Sequence, residues 1–181
     1  MAESVARLLA RTGAHPNHVT IAATALNAGV AVVVAMGHVQ VAGVMILVVA
    51  LFDTLDGALA RVTQKSSTFG AFLDSTLDRY SEGLILLGLL IHLGGSGDSL
   101  GIALCFVVLL GSLMVSYTRA RAEGLGMECE VGIAPRPERV VILSIGLIVG
   151  WTLPALALLA VLTHLTALQR ILHVLQLSKN E

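Results

Sequence analysis

The fold and the chemistry of this chain are both indicated by residues 53–78, which read DTLDGALARVTQKSSTFGAFLDSTLD. The stretch contains two pairs of aspartates, spaced three and four residues apart: Asp53 and Asp56, then Asp74 and Asp78. Residues at these spacings share one face of a helix, so each pair presents both carboxylates to one side. Two such pairs on neighbouring, facing helices would form a cluster of hard oxygen ligands, which suits Mg²⁺ or Mn²⁺ better than zinc.

The composition around this stretch is typical of a small polytopic membrane protein. The chain has 181 residues, of which 56% are hydrophobic and 13% are charged, and its mean hydropathy is +0.87. Soluble domains usually carry about 25% charged residues. Acidic residues within membrane sequence are energetically costly and need a partner or a function. We therefore expect one membrane domain over residues 1–181, with the aspartates as its site and with no nucleic-acid partner.

Apolar runs separated by loop signals predict an all-α integral membrane protein with six transmembrane helices. The predicted spans cover residues 18–37, about 40–62, about 69–93, about 99–122, 137 to about 151, and about 153–175. The fifth is the shortest, because a span needs about 20 residues. Residues 2–12 are compatible with a short juxtamembrane amphipathic helix on the membrane surface, or with a disordered end.

The distribution of basic residues predicts the orientation of the chain. Lys and Arg favour the cytoplasmic side of a membrane. With six spans, all eleven of them fall on one side or in the adjoining helix ends. The loops of the opposite side, around Gly37, 93–98 and 150–154, contain neither residue. We therefore expect a multi-pass protein of the cell membrane whose termini and aspartate cluster are cytoplasmic.

The quoted stretch also fits a longer pattern, D-x2-D-G-x2-A-R-x8-G-x3-D-x3-D. Its fixed positions are Asp53, Asp56, Gly57, Ala60, Arg61, Gly70, Asp74 and Asp78. The pattern resembles the signature of the CDP-alcohol phosphotransferase family of integral membrane enzymes. The resemblance implies that an alcohol attacks a CDP-linked membrane lipid, that CMP leaves, and that a phosphodiester lipid forms. It also implies a homodimer.

The resemblance further implies a role for each fixed residue. Asp53, Asp56 and Asp74 would bind metal, and Asp78 would be the general base and would also contact a second ion. Two divalent ions, Mg²⁺ or Mn²⁺, would neutralise the pyrophosphate and stabilise the leaving group. The CDP donor would lie against Asp56, Gly57, Ala60, Arg61, Gly70 and Asp74. The small residues leave room for a ligand to approach the backbone, and Arg61 could pair with a phosphate.

A second group of polar residues indicates the acceptor. Ser116 and Arg119 share a helix face, and Arg136 stands at a helix start, where backbone amides favour anions. With Arg170 from the last span, these side chains would form a phosphate pocket, although the cytoplasmic preference of arginine would also account for single members. An acceptor that carries a phosphate, such as inositol phosphate or glycerol 3-phosphate, would need this pocket.

Three segments refine the resemblance: SYTRARAEG from residue 116, APRPERVVIL from residue 134, and LQR from residue 168. They look like those of phosphatidylinositol phosphate synthases of actinobacteria and their archaeal counterparts. This similarity implies a CDP-diacylglycerol or CDP-linked archaeal lipid donor, and inositol phosphate as acceptor, bound by Ser116, Arg119, Arg136 and Arg170. That subfamily often has Lys where this chain has Arg119, and the two side chains differ in geometry.

Two other functions stay open at this point. The same chemistry with glycerol 3-phosphate as the acceptor would make the protein a phosphatidylglycerophosphate synthase. A divalent-cation transporter is the alternative of another class, because paired intramembrane acids also line ion pathways.

Overall fold

A computed structural model of the protein describes residues 16–63 and 67–179, and over 54–63 it describes the backbone alone. The described residues form six α-helices: α1 Pro16–Ala35, α2 Val39–Thr63, α3 Thr68–Gly95, α4 Ser99–Glu123, α5 Arg136–Ile148 and α6 Thr152–Leu177. All six predicted helices are confirmed, with ends within a few residues of those expected. The amphipathic helix predicted for 2–12 lies outside the described residues.

Three of these helices are long and apolar enough to cross a membrane, namely α1, α4 and α6. The first part of α2, Val39–Asp53, is a shorter apolar stretch. Helix α5 has 13 residues, fewer than the about 20 that a span needs. The all-helical class is therefore confirmed, whereas the six-span topology stays a prediction.

The chain divides into two compact units, Met1–His92 and Leu93–Glu181, and the single domain expected over 1–181 stays a prediction. In the first unit α1 packs against α2, and α3 approaches α1 at a glycine. A Cβ added to Gly88 would come within 3.0 Å of the Ala31 carbonyl oxygen. Small residues allow such close backbone approach between membrane helices. Around this point Val30, Val34 and Leu89 are fully buried.

The second unit is built around α6, which packs against both α4 and α5. Gly111 of α4 and Gly146 of α5 make these approaches possible, since a Cβ on either would come within 3.0 Å of an α6 side chain. Helix α4 is started by Asp98, whose Oδ1 accepts a hydrogen bond from Gly101 N at 2.9 Å. Residues 124–135, here called the α4–α5 segment, connect α4 to α5 along α6.

Candidate active site

Three aspartates of the pattern converge in the first unit. One carboxylate oxygen from each of Asp53, Asp74 and Asp78 lies within 4.8 Å of the other two. All three residues are half-buried, and the Asp78 side chain is only 14% exposed. The structure therefore brings together three of the four predicted carboxylates. The side chains of the other pattern members at positions 56, 57, 60 and 61 lie outside the described part of the chain.

The start of α3 explains how its two aspartates are placed. Ser67 precedes the helix, and its Oγ accepts a hydrogen bond from Gly70 N at 3.0 Å. Such a cap satisfies one of the amides that a helix start leaves open. From there Gly70, Asp74 and Asp78 follow at four-residue spacing along one helix face. The cap thus determines where the face carrying the two aspartates begins.

Gly70 also marks a close approach to α1. A Cβ at this position would lie 3.0 Å from Ser67 Oγ and 3.1 Å from Asn17 Oδ1, which is tight for real side chains. Asn17, which is not part of the aspartate pattern, therefore lies beside the first turn of α3. The absence of a side chain at residue 70 therefore permits this close approach of Asn17 to α3.

Arg79 lies next to Asp78 and carries a positive charge close to its carboxylate. Its Nη1 is 3.8 Å from Asp78 Oδ2, a distance for charge pairing rather than for a hydrogen bond. The same nitrogen donates a hydrogen bond to the Ser75 carbonyl, so the guanidinium is held against its own helix. This contact offsets part of the negative charge of the cluster.

The three converging carboxylates fit a divalent cation. Close carboxylates repel one another unless they are protonated or bound to a cation. All three ligands of the described cluster are hard oxygens, which favours Mg²⁺ or Mn²⁺ over softer metals. Mg²⁺ is usually held by a few carboxylates together with water and substrate phosphates. The cluster therefore matches the donor set of a metal that binds a phosphate-containing substrate.

Arg119, in the second unit, is engaged by two carboxylates. Its Nε donates to Glu123 Oε1 at 2.7 Å, and its Nη2 donates to Glu130 Oε1 at 3.2 Å. The Arg119 side chain is 43% exposed and that of Glu130 is 83% exposed. Ser116, one turn earlier on α4, is half-buried, and so is Arg136, the first residue of α5. No role for Glu130 follows from the sequence pattern.

Arg170 is almost completely buried, at 3% exposure. Its Nε donates to the Val131 carbonyl at 2.8 Å, and its Nη1 donates to the Val115 carbonyl. The side chain therefore joins α6 to both α4 and the α4–α5 segment. A buried charge needs such hydrogen bonds. Arg139, a second buried arginine, lies in the same unit.

One face of α6 holds the backbone of the α4–α5 segment. Besides Arg170, three side chains make these contacts: Thr166 with Ala134 N at 3.1 Å, Gln169 with Ile133 N at 3.2 Å, and His173 with Glu128 O at 3.3 Å. Positions 166, 169, 170 and 173 follow helical spacing. Polar residues at this spacing in an otherwise apolar helix are the feature of the sequence from which a contact between α6 and a polar segment could have been predicted.

Gly132 lets the segment come so close to α6. Its φ is +134°, in the region that L side chains rarely adopt. A Cβ there would also come within 3.0 Å of Thr166 Cγ2. Two residues further along the segment, the Ala134 carbonyl accepts a hydrogen bond at 3.1 Å from Nη1 of Arg139, a buried residue of α5. The segment is thus fixed from both helices.

The described residues form an all-helical protein with three helices apolar enough to cross a membrane and a carboxylate cluster suited to a divalent cation, and comparison with known proteins gives its family. The sequence model of the CDP-alcohol phosphatidyltransferase family matches residues 14–177. The chain therefore belongs to this family, and the predicted enzyme class is confirmed.

Several similar proteins are named as synthases of inositol phosphate lipids. Archaetidylinositol phosphate synthase from Methanothermobacter thermautotrophicus is 44% identical over 130 residues, which cover 68% of this chain and 64% of that protein. The chain thus spans less than two thirds of that relative. The protein of the same name from Pyrococcus horikoshii is 39% identical, over 93% of this chain and 88% of that protein. Phosphatidylinositol phosphate synthase from Mycobacteroides abscessus is 36% identical, over 92% and 80% respectively.

Solved structures of phosphatidylinositol phosphate synthase from Mycobacterium tuberculosis have the same fold. The structure with CDP-DAG bound has a TM-score of 0.90 and 33% identity, and covers 96% of this chain and 93% of that chain. The structure in complex with manganese and citrate also has a TM-score of 0.90 and 33% identity, covering 96% and 88%.

Proposed function

We propose that the protein transfers the phosphatidyl group of CDP-diacylglycerol, or the equivalent group of a CDP-linked archaeal lipid, to inositol phosphate. CMP is released and phosphatidylinositol phosphate, or its archaeal counterpart, is formed. The observation that carries the proposal is the convergence of Asp53, Asp74 and Asp78 in a chain whose relatives are named for this reaction. Membership of an enzyme family sets aside the cation-transporter alternative.

The donor end of the reaction belongs to the aspartate cluster. Asp53, Asp56, Asp74 and Asp78 would hold two divalent ions, Mg²⁺ or Mn²⁺, which would offset the pyrophosphate charge and stabilise the leaving group. Space for the cytidine is left by Gly57, Ala60 and Gly70, and Arg61 pairs with a donor phosphate. Support comes from the carboxylate geometry and from relatives solved with CDP-DAG and with manganese.

Asp78 is the general base in this proposal. It takes the proton of the attacking acceptor hydroxyl, and the hydroxyl oxygen forms a bond to the phosphorus of the diacylglycerol phosphate. The bond from that phosphorus to the bridging oxygen breaks, and CMP leaves with that oxygen. Arg79, 3.8 Å from Asp78, orients the base. The partial burial of Asp78 keeps much of the bulk water away from it.

Ser116, Arg119, Arg136 and Arg170 bind the acceptor's phosphate. Arg119 offers a forked guanidinium suited to phosphate, and Arg136 adds the favourable field of a helix start. Arg170 holds the α4–α5 segment and adds positive charge. A glycerol 3-phosphate acceptor would make the same contacts through its phosphate. The two acceptors are therefore distinguished by measuring CMP release with each of them.

The proposal includes a membrane topology. The chain crosses the membrane six times, both termini and the site are cytoplasmic, and the enzyme works as a homodimer. Three helices suited to crossing and the one-sided distribution of Lys and Arg support the orientation. Reporters that are active on only one side of the membrane, attached at either terminus, test it: the cytoplasmic reporter should be active at both termini, and activity only on the opposite side would overturn the orientation.

The pocket assignment is tested by acceptor kinetics. CMP release is measured with Mg²⁺ or Mn²⁺ while acceptor and donor concentrations are varied separately. Arg119→Gln or Arg136→Gln should raise the acceptor KM by about 10- to 100-fold, the value of a lost charge-assisted hydrogen bond, and should change the donor KM far less. Arg121→Gln, an exposed arginine of the same helix, is the matched control. Full acceptor affinity in both variants would refute the pocket.

A further inference from the structure

Glu130 of the α4–α5 segment forms an ion pair with Arg119, which is one of the proposed phosphate ligands. Glu130 Oε1 accepts a hydrogen bond from Arg119 Nη2 at 3.2 Å, although eleven positions separate the two residues. Glu123, one turn along the helix from Arg119, takes the Nε side of the same guanidinium at 2.7 Å. Arg119 is therefore held on its own helix by one carboxylate and is covered from the segment by another.

The backbone on either side of Glu130 is fixed. The Glu128 carbonyl contacts His173 and the Val131 carbonyl accepts from Arg170, while Cys129 is fully buried. The Glu130 side chain, by contrast, is 83% exposed. Its carboxylate can therefore leave Arg119 by side-chain rotation in solvent, with no change in the path of the segment.

We propose that Glu130 is a specificity-determining residue that occupies the acceptor-phosphate edge of Arg119 and is displaced by the phosphate. The inference rests on the proposed function, because it takes Arg119 as a phosphate ligand. Guanidinium recognises carboxylate and phosphate through the same forked donors. Glu130 and the acceptor phosphate therefore compete for one group, and Glu123 keeps that group oriented throughout.

The charges explain the direction of the exchange. Glu130 brings one negative charge on an exposed side chain, and exposed ion pairs are weak and screened by salt. A phosphomonoester brings nearly two charges at neutral pH, with three acceptor oxygens. A phosphorylated acceptor can thus displace Glu130, whereas a neutral alcohol offers nothing that replaces a carboxylate. The competition therefore favours phosphorylated acceptors over neutral ones, because a neutral acceptor would have to displace Glu130 without replacing its charge.

The test compares two substitutions that remove the same charge from the same segment. Glu130→Gln should lower the acceptor KM by about two- to fivefold, the strength of an exposed ion pair, with the donor KM unchanged. Glu128→Gln is the control, because the Glu128 side chain forms no ion pair with any residue in the described part of the chain. The concentration of inorganic phosphate that half-inhibits CMP release should fall by the same factor in Glu130→Gln, a readout independent of acceptor identity.

A double substitution separates this inference from the proposed function. In an Arg119→Gln background, Glu130→Gln should have no further effect on the acceptor KM. If Arg119→Gln itself leaves that KM unchanged, the phosphate pocket is refuted and the role of Glu130 with it. If Arg119→Gln raises the KM while Glu130→Gln fails to lower it, or lowers it no more than Glu128→Gln does, only the competition by Glu130 is overturned.

Discussion

Replacing Asp74 by Asn changes the repulsion inside the aspartate cluster by an amount that follows from its geometry. Oxygens of Asp53, Asp74 and Asp78 lie within 4.8 Å of one another. Two unit charges at that separation repel by about 0.9 kcal/mol in bulk water and by about 3.5 kcal/mol at an effective dielectric constant of about 20. Asp74 takes part in two of the three pairs. Without a cation, the substitution therefore relieves at least about 2 kcal/mol.

The same substitution has the opposite effect when a divalent cation is present. A cation that binds only the native protein stabilises it in proportion to its affinity, and Asp74→Asn removes one ligand. For a chain of this size about 2 kcal/mol corresponds to a Tm shift of roughly 4–8 °C. The variant should therefore melt about 4–8 °C above the wild type in EDTA and below it in saturating Mg²⁺ or Mn²⁺.

Thermal melts followed by helical circular dichroism in detergent measure both shifts. Asp98→Asn is the matched control, because Asp98 accepts a hydrogen bond from Gly101 N as a helix cap and Asn caps about as well. This control loses the same charge and should show the wild-type response to EDTA. An Asp74→Asn variant that is less stable than wild type in EDTA, or that responds to Mg²⁺ as wild type does, would show that Asp74 is not part of a mutually repelling, cation-binding cluster.

Three further substitutions probe the base, the segment and the helix packing. Asp78→Asn should lower kcat by about 10²- to 10⁴-fold, as expected for loss of a general base, and unchanged CMP release would exclude that role. Gly132→Ala should raise the acceptor KM but not the donor KM, because a side chain there is strained and meets α6; equal shifts in both constants would count against a local effect. Gly88→Ala should lower the free energy of unfolding by about 1–3 kcal/mol, because the added methyl group overpacks against Ala31; thermal melts measure this loss. Gly29→Ala is the control and should cause no such loss, because a Cβ at residue 29 has no other atom within 4 Å.

The helices could be predicted from the sequence because their signals are local. Long apolar runs end at turns that contain glycine or proline between α1 and α2 and between each pair of successive helices from α3 to α6, whereas residues 64–67, between α2 and α3, are polar and contain neither. The four-residue spacing of Asp74 and Asp78 likewise places both on one helix face, because that spacing is close to one helical turn. That Asp53 joins them depends on the packing of one helix beside another. The spacing alone leaves this packing open, and the structure places one carboxylate oxygen of each of the three residues within 4.8 Å of the other two.

The environment of the arginines could not be predicted in the same way. Arg170 was expected to bind phosphate, and the structure shows two of its nitrogens donating to backbone carbonyls of Val131 and Val115; its phosphate contact stays a prediction. The pairing of Arg119 with Glu130 joins residues of a helix and a loop. Such contacts depend on the path of the α4–α5 segment, which is set by tertiary hydrogen bonds from α6 rather than by local propensity.

CMP release from CDP-diacylglycerol by the purified protein tests the proposed reaction. Inositol phosphate, free inositol, glycerol 3-phosphate and serine are offered in parallel, with Mg²⁺ or Mn²⁺ and with EDTA as the blank. We expect metal-dependent turnover with inositol phosphate and none with the other three. Turnover with glycerol 3-phosphate in place of inositol phosphate would contradict the proposed acceptor, and metal-independent release would contradict the role of the aspartate cluster.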